Sequence, residues 1–105
     1  MKFTIDEQRA VLKAIDKVVL ADDRAYEEEA NFVLQMASLL RFKMELVREA
    51  RHMDYQEALR ILQAMSISKK ETLATMLRET AGADGRITEE ELELVQEIIA
   101  EVGLD

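Results

Sequence analysis

The chain has 105 residues with 0 Pro, 0 Cys, 0 Trp and 3 Gly, and its 14 basic against 22 acidic side chains leave a net charge of −8. That length suits a single domain over 1–105. The missing cysteines exclude disulfides, thiolate zinc sites and cysteine nucleophiles, and the negative balance disfavours nucleic acid and anionic membrane as partners. Asp6 and Glu7 arrive before any apolar leader segment can form, and no stretch approaches the ~18 apolar residues of a membrane span. The expectation is a soluble cytoplasmic protein without direct membrane insertion.

Apolar positions recur at helical spacing, and start signals divide the chain into about six helices. The first, about 5–20, places Val11, Leu12, Ile15, Val18 and Val19 inward; the second, about 25–41, uses Ala30, Val33, Met36, Ala37 and Leu40. A short third helix over about 43–52 turns Met44 and Val47 inward. The fourth, about 55–65, buries Tyr55, Leu59, Leu62 and Met65, and the fifth, about 69–81, buries Leu73, Leu77 and Ala81. The last, about 89–102, aligns Leu92, Val95, Ile98, Ile99 and Val102 before Gly103, the residue type suited to a left-handed helix end. Four pairs fit a capping box: Thr4 with Glu7, Asp54 with Glu57, Ser68 with Glu71 and Thr88 with Glu91. No segment alternates with period two long enough for a strand. The expected fold is all-α, a compact bundle whose short connections join neighbouring helices as hairpins.

An internal repeat lies at an offset of 62 residues, where Ala21-Asp22-Asp23-Arg24-Ala25-Tyr26-Glu27-Glu28-Glu29 aligns with Ala83-Asp84-Gly85-Arg86-Ile87-Thr88-Glu89-Glu90-Glu91, six of nine positions being identical. A duplicated helix-turn-helix unit implies two pseudo-symmetric hairpin halves. Each copy holds an Asp in the turn (Asp22, Asp84) and a Glu seven residues later (Glu29, Glu91). Two readings stand side by side. Carboxylates in a first helical turn are favoured by the macrodipole and free amides, by about 0.3–1 kcal/mol each. Converging carboxylates also suit a hard divalent cation. Glu29 is present although Tyr26, at the place of Thr88, cannot cap, which leaves room for the second role. An ordinary calcium-binding EF-hand loop is rejected, because its first two carboxylate positions would fall on Thr80 and Gly82, and on Val18 and Leu20 in the other copy.

A turn of this type followed by an acidic helix start, present twice in a small helical chain, resembles the tellurite-resistance TerB-like domain. The likeness runs over Val19 to Leu40 and Thr80 to Leu104. It implies an all-α bundle of two related halves, an acidic cluster that binds a divalent metal, and a bacterial stress-response setting. The family's acidic positions fall on Asp22, Glu29, Asp84 and Glu91. Asp23 stands where the first turn would carry Gly.

Enzyme motifs are absent: there is no phosphate-cradling loop, no paired His and no nucleophile elbow. His52, the only histidine, ends a short helix beside Arg48 and Arg51, where a cation suits the carbonyl end. Met36, Met44 and Met65 share the phase of the core, whereas Met53 and Met76 are the two that can reach the surface and mark a contact patch. Charge is uneven, with −3 over residues 1–40, +3 over 41–78 and −8 over 79–105. The basic residues Arg41, Lys43, Arg48, Arg51 and Arg60 alternate with Glu45, Glu49, Asp54 and Glu57 at spacings that allow intrahelical pairs. Two functions of different class follow. One is a non-catalytic helical interaction module that binds a protein partner or itself. The other is a divalent-cation site at the repeated turns.

Overall fold

The computed structural model describes residues 2–19, 34, 37–38, 41–82 and 89–104. Within them lie five helices and no strand: α1 (Ile5–Val19), α2 (Met44–His52), α3 (Tyr55–Gln63), α4 (Ile67–Ala81) and α5 (Glu89–Glu101). The predicted second helix falls mostly outside the described residues. Leu34, Ala37 and Ser38 have helical backbone, and this turn closes at Arg41, whose φ of 60° is left-handed. The Phe42 amide donates to the Ala37 carbonyl (2.8 Å) and the Arg41 amide to that of Ser38 (3.0 Å), the bond pattern of a Schellman end.

Helix α1 occupies the centre, packing against α2, α3, α4 and α5, while α4 also packs on α5. Its sequence dictates that place. Ala10, Val11, Leu12, Ala14, Ile15 and Val18 are all buried, and at 100° per residue they cover a little over half of the helix circumference. Such a helix needs partners on several sides. The surrounding helices supply Leu46, Val47 and Ala50, then Ala58, Leu59 and Leu62, then Leu73, Ala74, Met76 and Leu77, then Val95, Ile98 and Ile99, all in one contiguous core. Full burial of each larger side chain contributes about 1.5–3 kcal/mol.

Helix ends follow the local chemistry, with one correction. At α1 the capping box is complete: the Thr4 amide donates to Glu7 Oε1 (2.8 Å) and the Glu7 amide to Thr4 Oγ1 (3.1 Å). Asp54 caps α3 by accepting from the Glu57 amide (3.2 Å). Helix α4 is capped by Ser66, which accepts from the Lys69 amide (3.3 Å), and not by Ser68. The chain leaving α3 turns at Ala64 and Met65, so Ser66 is the first hydroxyl it meets. Thr88 lies outside the described residues. The left-handed end expected at Gly103 is observed, with φ of 87° and the Leu104 amide bonded to the Ile99 carbonyl (3.2 Å). The Lys70 ammonium lies over this end, 3.6 Å from where a Cβ on Gly103 would sit, and there a cation meets free carbonyls. Among the described residues no helix is long and apolar enough to cross a membrane.

Candidate functional site

Of the four acidic residues singled out by the repeat, Glu91 is described, and Asp22, Glu29 and Asp84 lie outside the described residues. Glu91 sits in the first turn of α5 and is 0% exposed, ranking with Leu12 and Ile98 among the fully enclosed side chains. A carboxylate out of water is costly unless a donor, a cation or a proton compensates it. This depth was not legible in the spacing, since Glu91 follows two exposed glutamates in an acidic run. Among the described residues no three His, Asp or Glu side chains converge as a metal group would.

The charged side chains of α1 are engaged within the chain. Arg9 bridges Asp6 (2.9 Å) and Glu49 of α2 (2.7 Å). Asp16, itself buried, receives the Arg51 guanidinium at 3.3 Å. Lys13 donates to the Arg51 carbonyl (3.2 Å), and Lys17 stands 3.9 Å over the ring of Tyr55. Glu7 accepts from Lys69 of α4 at 2.7 Å. Burial pushes the Glu7 carboxyl up, but the bond from Lys69 and the Thr4 amide outweigh it and hold the group below its ordinary value. Burial, then the bond it donates to Glu101 (2.9 Å), pushes the Tyr55 phenol above its usual range. The expected intrahelical pairing of the α2 charges is therefore corrected: Glu49 and Arg51 pair across to α1, because those two positions face its polar side.

What α2 leaves at the surface is an open groove of about 370 Å³ lined by Leu34, Met44, Val47, Arg48, Arg51 and His52. Met44, expected inside, is 50% exposed, and Leu34 is exposed beside it. The short α2 meets α1 through Leu46, Val47 and Ala50, and Met44, in its first turn, lies off that line of contact. Conversely Met76, expected near the surface, is 5% exposed within the core, and Met53 is half-buried against it. The groove thus joins apolar walls to the cations Arg48 and Arg51 and to the single imidazole. That combination suits an acidic partner segment bearing an apolar side chain.

Helix α5 presents the opposite surface. Glu89, Glu90, Glu93, Glu97 and Glu101 are exposed, the helix has no basic residue, and Leu92, expected in the core, is 43% exposed among them. Leu92 lies at the edge of the apolar stripe, where α1 and α4 enclose Val95, Ile98 and Ile99 but do not reach it. No family model, no curated protein and no solved structure matches the chain, so the reading of its function rests on these surfaces and on the repeat.

Proposed function

We propose that this chain is a non-catalytic helical interaction module of the TerB-like kind, with six helices in two pseudo-symmetric halves, acting in a bacterial stress-response setting. The observation that carries the reading is the α2 groove, where Met44 and Leu34 are left exposed beside Arg48, Arg51 and His52. An apolar surface costs solubility unless something covers it, and flanking cations select what does. The test places a photo-crosslinking amino acid at position 44 or, as a control, at the exposed Gln56 of α3. In the native cell, position 44 is expected to give discrete adducts that position 56 does not. Equal labelling from both positions removes the reading.

A second reading, a divalent-cation site at the repeated turns, is favoured by the enclosure of Glu91. Glu91 together with Asp22, Glu29 and Asp84 would supply hard oxygen donors of the type that magnesium, calcium or manganese takes. Titration calorimetry with those ions and zinc, with Asp84→Ala and Glu91→Ala as controls, decides it. A specific ion is expected to raise thermal stability by about 2.7 kcal/mol at a hundredfold excess over its Kd. No heat and no thermal shift with any ion ends this reading.

A further inference from the structure

We infer that the occupant of the α2 groove is the α5 face of a second copy of this chain. The inference rests on the interaction-module reading and names its partner. Glu89, Glu93, Glu97 and Glu101 succeed one another at four-residue intervals on α5, all exposed. Like charges at that spacing destabilise a helix by about 0.2–0.5 kcal/mol per pair. Three such pairs in one helix without a basic residue oppose the stability of the isolated chain, and a cationic surface docked against them reverses the sign.

The groove meets that need in kind. Arg48, Arg51 and His52 stand around the exposed Met44 and Leu34. On α5 the exposed Leu92 has Glu89, Glu93 and Gln96 as its helical neighbours. An apolar anchor flanked by Glu89 and Glu93 therefore faces an apolar groove with Arg48 and Arg51 on its wall, the second of them also paired with Asp16. Within one chain the two surfaces do not meet, because α2 and α5 both pack on α1 and do not form a packed pair with each other. The contact is between different patches of the two copies, so it closes as a symmetric pair of contacts or propagates as an open chain, depending on the angle between them.

Sedimentation velocity on the full chain tests the contact over concentrations from about 10 μM to about 1 mM in low salt. The average mass is expected to rise with concentration, and salt at about 0.5 M is expected to weaken association roughly tenfold. Arg48→Glu and Glu93→Lys lie on exposed positions, and circular dichroism checks that both variants fold. Each alone is expected to stay monomeric, since the substituted position then meets a like charge across the contact. An equimolar mixture is expected to associate again, because each variant offers the complement of the other. A chain that is monomeric throughout, association that survives both reversals, or a mixture that fails to associate overturns the inference. Should the chain stay monomeric while position 44 crosslinks a different protein, self-association falls and the interaction module stands; no adduct at all removes both.

Discussion

Helices α1 and α5 are similar in length and both are amphipathic, yet they use their charges in opposite ways. On α1, Asp6, Glu7, Arg9, Lys13, Asp16 and Lys17 are of both signs, and each meets another side chain or a carbonyl of the same chain. On α5 the charges are of one sign, and the described side-chain bonds of its exposed glutamates amount to the one that Glu101 accepts from Tyr55. Mixed charge that is already engaged belongs to the fold. Uniform charge left facing water beyond the first turn, with Leu92 exposed beside it, is largely unpaired in the isolated chain and is available to a partner.

The largest effect expected from this contrast comes from truncating one leucine on each helix. Leu12 of α1 is 1% exposed, and Leu12→Ala is expected to lose about 2–5 kcal/mol in urea unfolding through lost burial and the cavity left behind. Leu92→Ala on α5 is expected to stay within about 0.5 kcal/mol. If the second substitution costs as much as the first, the outward face of α5 is part of the core and the contrast disappears.

A smaller effect sharpens the α1 side. The Glu7 carboxyl is held below its ordinary value of 4.5 chiefly by Lys69, against the upward push of its own burial. A carboxyl depressed in the folded state binds its proton more readily in the unfolded chain. Its contribution is therefore complete above about pH 4.5 and is lost as the pH falls through the lower folded value. Lys69→Met is expected to cost about 1 kcal/mol at pH 7 and progressively less toward pH 3, as measured by urea midpoints across that range. A cost independent of pH would mean that Lys69 contributes through its methylene stem alone.

The contrast also shows which parts of the molecule were legible in the sequence. Helix class, the boundaries of the described helices to within about two residues, and the left-handed end at Gly103 came from local signals that tertiary contacts did not overrule. Ser68 lost the capping role to Ser66 because two hydroxyls competed and the direction of the chain leaving α3 decided between them. Met44, Leu92 and Met76 were misplaced for a common reason. Periodicity tells which way a side chain points around its own helix, but not how far the neighbouring helices extend to cover it. The groove was illegible for the same reason, since periodicity does not show which part of α2 its neighbours leave open. The burial of Glu91 was hidden by its run of glutamates, and of the four acidic positions Asp22, Glu29 and Asp84 lie outside the described residues.

The smallest effect expected is the most discriminating, because its sign is unusual. Glu93 is exposed, with Glu89 and Glu97 four residues away on either side and Glu90 three residues before it. Glu93→Lys replaces like-charge neighbours by opposite ones, and Glu93 lies beyond the first turn, where a cation would oppose the macrodipole most strongly. In dilute protein, where the chain is monomeric, the variant is expected to be more stable than the parent by about 0.5–1 kcal/mol, a gain that shrinks in high salt. A substitution on the fold side of the contrast lowers stability; this one is expected to raise it while abolishing association. Loss of stability in dilute Glu93→Lys would show that Glu93 is engaged within its own chain, and α5 would then belong with α1.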